Sequence, residues 1–220
     1  MNNSIIQLLV LAGVAIFLIF KLRSVLGTRD GFENQNRPPA IPGTPQQRQG
    51  AEVSEGGPDR DITDHVAEGS DAARALAAMK LVETSFNVSG FLQGARGAYE
   101  MILSAFAKGE LDRIRAFLSP EVADSFAAVI ADRKARGLIL TNELLGIREL
   151  ALQNAEFNRA SNEAEVSVRF VAEVISVTRD TAGEVVDGDP KHARKQKDVW
   201  TFARTMGAND PNWQLVATGE

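Results

Sequence analysis

Apolar residues recur at helical spacing in the first part of the C-terminal two thirds of the chain, from about residue 71 onward. Ser70 and Asp71 are suited to cap a helix that runs from Ala72 to about Glu83 and is rich in alanine. After Ser89, apolar residues recur every three to four positions, which predicts a second helix with one apolar face. The residues on that face are Phe91, Ala95, Ala98, Met101, Ile102, Ala105 and Phe106.

Two further helices are predicted before the pattern changes. Gly109 is placed to end the second helix, and a short third helix follows it. Ser119 followed by Pro120 is typical of an N-cap and a first helical residue. The fourth helix, which begins there, ends near Arg136. Its buried face consists of Val122, Phe126, Val129 and Ile130.

Three glycines interrupt the second predicted helix, at Gly90, Gly94 and Gly97. A phosphate-binding glycine loop needs a strand before it and a helix that begins at the loop, whereas here the helical pattern runs through the glycines. Each glycine weakens a helix by about 1 kcal/mol relative to alanine. The pattern therefore favours close packing of this helix against another element.

Beyond Gly137 the apolar period changes to two. Six apolar residues alternate with polar ones, which predicts a long antiparallel strand with one buried face. Later strands are predicted around Trp200 and Phe202 and from Trp213 to Ala217. Helices followed by a meandering sheet indicate an α+β fold for residues 71–220, in which a strongly twisted sheet curls over the helices into a cone. The alternating residues of the long strand are Ala164, Val166, Val168, Phe170, Ala172 and Val174.

The N-terminal 27 residues carry an almost uninterrupted apolar stretch over residues 5–20. Extended past Lys21, it spans roughly 27 Å as a helix, which is close to the hydrocarbon thickness of a bilayer. No basic residue precedes the stretch and no small-residue cleavage site follows it, so an uncleaved transmembrane anchor is favoured over a signal peptide, and apolar residues on both faces disfavour a core helix. Lys21, Arg23 and Arg29 place the C-terminal part in the cytoplasm. The predicted anchor residues are Ile5, Leu9, Val14, Phe17, Phe20 and Leu22.

Residues 28–70 have the composition of a disordered tether. They hold five of the eight prolines and six of the eighteen glycines, with eight acidic residues against four arginines. Such a segment buries too little apolar surface to offset its ordering entropy. As a flexible coil it would reach on the order of 35 Å. The proline cluster at residues 38–45 is also compatible with a polyproline docking site, although a plain spacer is the favoured interpretation.

Composition excludes several kinds of chemistry. The 220 residues include no cysteine, which excludes disulfides, thiolate metal sites and cysteine nucleophiles. Two separate histidines, His65 and His192, leave little room for catalytic triads or metal clusters. The net charge of -5 disfavours a nucleic-acid partner. We therefore predict no catalytic residue, no cofactor and no metal ligand.

Four segments in this order resemble the Tim44-like domain: residues 91–122, 166–180, 198–204 and 210–220. That family is named for a peripheral subunit of the mitochondrial inner-membrane presequence translocase, and it includes alphaproteobacterial relatives with an N-terminal membrane span. The resemblance implies a cone of the nuclear-transport-factor-two-like type, an apolar pocket, association with the inner membrane and no catalysis. It does not extend to the N-terminal part, so presequence import is not carried over.

The apolar side chains of the cone are most simply interpreted as core residues. The resemblance suggests a second interpretation, in which they line a pocket. The residues concerned are Phe91, Met101, Ile102, Phe126, Phe170, Trp200 and Phe202. A basic cluster in a predicted hairpin loop, residues 190–197, is a hypothetical contact for anionic lipid, with a plain solvated loop as the alternative. Its basic residues are Lys191, Arg194, Lys195 and Lys197.

These features together predict a membrane-tethered, non-catalytic adaptor or binding domain on the cytoplasmic face of a bacterial inner membrane. Its role would be linked to protein transport or to membrane-protein assembly, and its partners would be membrane lipid and a protein that the sequence does not identify. One alternative is a module that binds lipid or acyl chains in the apolar pocket. A small-molecule enzyme of the cone fold is the other, although the pattern reveals no positioned acid or base.

Overall fold

The computed structural model describes residues 59–219, in which helices come first and an antiparallel sheet follows. The predicted anchor at residues 5–20 and the predicted tether up to residue 58 lie outside the described residues. Among residues 59–219, no helix has the length and apolar character needed to cross a membrane. The predicted α+β class is confirmed.

Within residues 59–219, four α-helices precede the sheet: α1 (Arg60–Thr63), α2 (Asp71–Val82), α3 (Val88–Lys108) and α4 (Pro120–Ala135). Two short 3-10 turns, Leu111–Arg113 and Arg115–Phe117, replace the predicted third α-helix. Side-chain caps fix the helix starts, because each cap oxygen accepts a backbone N–H that has no partner within the helix. Ser70, Asn87 and Ser119 cap α2, α3 and α4.

Five antiparallel strands form one sheet: β1 (Ile139–Asn158), β2 (Glu163–Arg179), β3 (Val185–Gly188), β4 (Arg194–Thr205) and β5 (Gln214–Gly219). The strand order is β1-β2-β4-β5, and β3 pairs with the far end of β2. Three register irregularities interrupt the pairing of β1 with β2. Bulges of this kind bend a strand and increase its twist. The long β1 contacts both α2 and α3, which is consistent with such bending.

The core lies between the inner face of β2 and the helix α3. All six alternating residues predicted for the long strand are at most 1% exposed. The ring of Tyr99 on α3 stacks on Phe170 at a centroid distance of 4.3 Å, and its hydroxyl donates to Asp198 Oδ2 at 2.5 Å. Burial, followed by the hydrogen bond to Asp198, raises the pKa of Tyr99. The Tyr99 hydroxyl therefore joins α3 to the sheet.

The folded unit begins earlier than the predicted boundary at residue 71. Residues 59–70, which we name the strap, lie against the domain: Ile62 is 5% exposed and Val66 packs on the core. Asp61 accepts the backbone N–H groups of Val88 and Ser89 at 2.7 and 3.1 Å. The prediction of a disordered tether is therefore wrong for the strap, because two apolar side chains and one carboxylate give it partners that composition alone does not show.

The basic cluster does not occupy a loop as predicted. Arg194, Lys195 and Lys197 lie on β4, opposite Val174, Glu173 and Val171 of β2. Only the stretch before them, at residues 189–193, lies between β3 and β4. The antiparallel pairing of β4 with β2 continues without a register shift through this polar segment, because the ladder is formed by backbone N–H and C=O groups, which every residue of the segment provides.

Candidate functional site

An open cleft of about 490 Å³ lies beside the first half of α3. The exposed side of α3, the segment between α2 and α3, one 3-10 turn, β4 and the segment before β5 all contribute to it. Its volume falls within the range of about 300 to 1,000 Å³ that is typical of ligand sites. The lining residues are Glu83, Ser85, Phe86, Asn87, Gly90, Phe91, Gly94, Ala95, Gly97, Ala98, Met101, Phe117, Phe202, Arg204, Pro211, Asn212 and Trp213.

The floor of the cleft is helix backbone bare of side chains at Gly94 and Gly97. A Cβ atom built at either glycine meets no atom within 4 Å. The prediction that these glycines serve close packing against another element is therefore wrong among the described residues. Gly90 differs, because a Cβ there would lie 2.6 Å from Oδ1 of Asn87, the N-cap of α3.

Aromatic side chains form one wall of the cleft. The ring centroid of Trp213 lies 4.8 Å from that of Phe91 and 6.0 Å from that of Phe86. Phe91 in turn meets Phe202 edge to face at 6.0 Å. Offset and edge-to-face arrangements of this kind stabilise ring pairs beyond the burial of their area. Phe86, Phe91 and Phe202 are buried, whereas Trp213 is partly exposed, so the rings hold one another in place and Trp213 is the ring of the four that solvent reaches most.

A salt bridge that is largely buried contributes to the lining of the cleft. Arg204, with a side chain 8% exposed, donates to both carboxylate oxygens of Glu83 at 2.8 and 3.0 Å. The Gly207 backbone N–H donates to the same carboxylate at 3.1 Å, and Arg204 Nε donates to the Asp210 carbonyl at 3.1 Å. Burial alone would raise the pKa of Glu83, but hydrogen bonds from Arg204 and Gly207 outweigh it and hold that pKa below its ordinary value.

The cleft can therefore bind by shape and apolar burial. Its two charged residues, Glu83 and Arg204, neutralise each other, and its other polar groups are amides and a hydroxyl at the rim. Within residues 59–219, no group of three or more histidine or acidic side chains is arranged to hold a metal ion.

Comparison with known proteins identifies the family of this chain. The family model described as the Tim44-like domain matches residues 72–220. The chain belongs to the Tim44-like domain family. The resemblance inferred from the four sequence segments is thereby confirmed.

Curated relatives of the Tim44-like domain include subunit TIM44 of the mitochondrial import inner membrane translocase. The mouse and human proteins are 26% and 25% identical over 150 residues, which is 67% of this chain and 33% of each relative. TIM44-1 of Arabidopsis thaliana is 20% identical over 162 residues, covering 71% of this chain and 34% of its own length. The chain thus spans about a third of the relatives that it matches. Among solved structures, the intermembrane space region of chloroplast protein ARC6 matches 58% of this chain and 93% of its own, with 13% identity and a TM-score of 0.39.

The Tim44-like domain brings three of the seven predicted pocket residues to the cleft, namely Phe91, Met101 and Phe202. Met101 is 36% exposed, whereas the helical pattern had assigned it to the buried face. The other four residues do not line the cleft: Ile102, Phe170 and Trp200 are core residues that are at most 4% exposed, and Phe126 packs on Phe106 at 4.8 Å.

Sequence reasoning missed three aromatic residues that line the cleft. Phe86 lies between two helices and Phe117 in a 3-10 turn, so neither belongs to a periodic pattern. Trp213, which begins the predicted last strand, lies just before β5. The salt bridge between Glu83 and Arg204 joins residues 121 positions apart, which no local signal reveals. The exposed glycine stripe of α3 was the one available sign of the cleft.

The four basic residues, which we name the basic patch, lie at the start of β4 and just before it. Lys191, Arg194, Lys195 and Lys197 are all exposed. Because successive side chains of a strand point to opposite faces, Arg194 lies on the other face of the sheet from Lys195 and Lys197. Glu173, which lies opposite Lys195 on β2, is already paired with Arg148 at 2.6 Å. The pKa of Glu173 is lowered, first by the hydrogen bond from Arg148. None of these four basic residues lines the cleft.

Alanine substitutions test whether the glycine floor is open. Gly94→Ala and Gly97→Ala should each raise the free energy of unfolding by about 0.5 to 1 kcal/mol, because alanine favours a helix and the added methyl meets open space. Gly90→Ala is the matched control and should not stabilise the domain, because its methyl disturbs the Asn87 cap. Urea denaturation measures all three. A loss of stability at position 94 or 97 would mean that another element covers this face.

Acid should weaken the Tim44-like domain through two carboxylates with lowered pKa values. Burial tends to raise the pKa of Asp61, but hydrogen bonds from Lys80, Val88 and Ser89 lower it well below 3.8, and Glu83 is lowered below 4.5. A group with a lowered folded pKa stabilises the fold fully above its unfolded pKa and loses that contribution as the pH falls below it. We expect stability to decline below about pH 5, and Asp61→Asn should make the decline shallower. Urea denaturation from pH 6 to pH 3 gives the free energy of unfolding at each pH. If this free energy falls as steeply with decreasing pH in Asp61→Asn as in the wild type, the assignment to Asp61 is contradicted.

Proposed function

We propose that this chain is a membrane-tethered adaptor in protein transport whose Tim44-like domain holds an apolar segment of a partner protein in the cleft. The observation that carries the proposal is the open cleft itself, which is lined by packed aromatic rings and by helix backbone without side chains at Gly94 and Gly97. A side chain from a partner can reach the backbone of α3 at Gly94 and Gly97, where no Cβ intervenes. The relation to translocase subunits supports the transport role.

The cleft is proposed to act by binding and not by catalysis. Its carboxylate, Glu83, accepts from Arg204 and from Gly207, and its lowered pKa keeps it ionised at neutral pH. A general acid or base at neutral pH works best with a pKa near that pH. The opposite shift of Glu83 suits a structural salt bridge.

The tethering part of the proposal rests on sequence. Residues 5–20 would span the inner membrane, residues 28–58 would link the span to the domain, and the domain would lie on the cytoplasmic face as a cone of the nuclear-transport-factor-two-like type. Fractionation and protease accessibility of a tagged full chain test this part. The tag should sediment with membranes and resist protease in intact spheroplasts, whereas digestion from the periplasmic side would overturn the orientation.

A partner protein is tested by chemical crosslinking in native membranes. The full chain should give the same crosslinked species in repeated preparations, and the species should disappear when residues 59–220 are deleted. A species that persists after the deletion would place binding outside the domain.

An acyl chain is the second candidate occupant, favoured by the volume of the cleft and its apolar wall. Native mass spectrometry of residues 59–220 should then show a lipid that copurifies, and a fluorescent fatty acid should bind. The absence of both would remove this candidate and leave the protein segment.

The basic patch is proposed to contact anionic lipid. A basic residue close to an anionic membrane surface contributes about 1 kcal/mol to binding. Replacing Lys191, Arg194, Lys195 and Lys197 with glutamine should therefore weaken binding of the purified domain to anionic liposomes at low salt by more than tenfold. Glutamine at Arg113, Arg115, Arg136 and Arg159, which are exposed elsewhere, is the matched control. Equal binding by both quadruple variants would remove the patch from the account.

A further inference from the structure

The N-terminal end of α3 is held by a residue from a distant part of the chain. The first amides of a helix have no partner within it and need an acceptor. Gly90 N–H donates to Asn87 Oδ1 at 2.6 Å, which is an ordinary cap. The amides of Val88 and Ser89 instead donate to the two carboxylate oxygens of Asp61, at 2.7 and 3.1 Å. The strap therefore completes the start of α3.

An ionic cluster fastens the strap in that position. Lys80 of α2 places its Nζ 2.7 Å from Asp59 Oδ2 and 2.7 Å from Asp61 Oδ2. The Lys80 side chain is 21% exposed and that of Asp61 is 23% exposed, so solvent screens the pair only in part. We name this arrangement of Asp59, Asp61 and Lys80 the latch. Ile62, one residue beyond it, is buried in the core at 5% exposure.

The latch and the cleft share the same turns of α3. Asn87, Gly90 and Phe91 line the cleft within four residues of the amides that Asp61 caps. Phe91 contacts both Trp213 and Phe202 in the aromatic wall. Fraying of the first turn of α3 would therefore displace the ring of Phe91 and disorganise the wall.

We propose that the latch controls the cleft: the aromatic wall is organised while Asp61 caps α3, and release of the strap disorganises it. The proposal rests on the proposed function, in which the cleft is the binding site. Coupling of this kind is reciprocal, so an occupant of the cleft also stabilises the closed latch. Because residues 28–58 of the predicted tether directly precede Asp59 in sequence, tension along the chain would act first on the latch.

Asp61→Asn in the full chain tests the coupling without any ligand. The variant weakens the cap and the contact with Lys80 while keeping the shape of the side chain. Hydrogen exchange at the amides of Val88 and Ser89 should accelerate at least tenfold, and acrylamide quenching of Trp213 fluorescence should increase. Asp64→Asn is the matched control, because Asp64 is an exposed carboxylate of the same strap, and it should leave both readouts within twofold of the wild type.

Accelerated exchange in α3 with unchanged quenching of Trp213 would overturn the proposal, because the latch would then be a cap alone. If Asp61→Asn also accelerates exchange in the core strand β2, Lys80→Met decides the question, since it retains the carboxylate cap and the apolar stem. Faster exchange at the first turn of α3 together with greater Trp213 quenching in that variant supports the coupling, and the absence of either change overturns it. These readouts are measured on the protein without a partner. A failure of the latch proposal can therefore be distinguished from a failure of the proposed function, which the crosslinking of a partner tests.

Discussion

Arg204→Met is expected to lower the free energy of unfolding by about 3 kcal/mol. Removing one partner of a buried ion pair typically costs about 3 to 5 kcal/mol, because the other charge stays behind without compensation. Glu83 would lose two charge-assisted hydrogen bonds of 2.8 and 3.0 Å but would keep the amide of Gly207, which favours the lower end of that range. The loop that leads to Trp213 would also lose the bond from Arg204 Nε to the carbonyl of Asp210.

The matched control for this variant is Arg148→Met, which breaks an exposed ion pair. The side chains of Arg148 and Glu173 are 64% and 34% exposed, and such pairs contribute at most about 1 kcal/mol. Urea denaturation of both variants gives the comparison. Equal losses of stability would contradict the larger contribution expected from the buried salt bridge between Arg204 and Glu83.

Gly94→Leu is expected to block the cleft while leaving the domain folded. The Cβ atom of the new side chain lies in open space, so we expect the leucine to occupy the floor of the cleft, and leucine favours a helix more than glycine does. Crosslinking of the partner protein in membranes should fall at least tenfold, which corresponds to a loss of about 1.4 kcal/mol in binding. The melting temperature of the purified domain should stay the same or rise.

Arg96→Leu is the control for a new leucine on the same helix. Arg96 is exposed and does not line the cleft, so its replacement should leave crosslinking unchanged. If Gly94→Leu keeps full crosslinking, the partner does not occupy the floor of the cleft.

The regular elements of this domain could be predicted because each has a local cause. Ser119 and Pro120 fix the start of α4. The alternation from Ala164 to Val174, which the buried Val171 interrupts, follows from the buried inner face of β2. The strap lacked such a signal. Its order depends on Asp61 reaching the amides of α3, a contact that spans 27 residues and leaves no periodicity in the sequence.

The candidate site was only partly predictable for the same reason. Helical spacing places Met101 and Ile102 side by side, yet Met101 faces the cleft and Ile102 faces the core. The position of the aromatic wall determines which residues of α3 line the cleft and which pack in the core. That wall includes Trp213 from the other end of the domain, so spacing within the helix cannot locate it. Gly94 and Gly97 were visible in the sequence, but whether they faced a neighbour or open space required the three-dimensional arrangement.

The most direct test of the account is photocrosslinking from inside the cleft. A photoreactive amino acid at position 101 of the full chain, irradiated in native membranes, should join to an apolar segment of a partner protein that mass spectrometry of the crosslinked peptide identifies. The same residue at position 96, on the exposed face of α3, should not form that crosslink, and Gly94→Leu should abolish it at position 101. A crosslink to lipid alone, or equal crosslinking from positions 101 and 96, would contradict the claim that the cleft holds a protein segment.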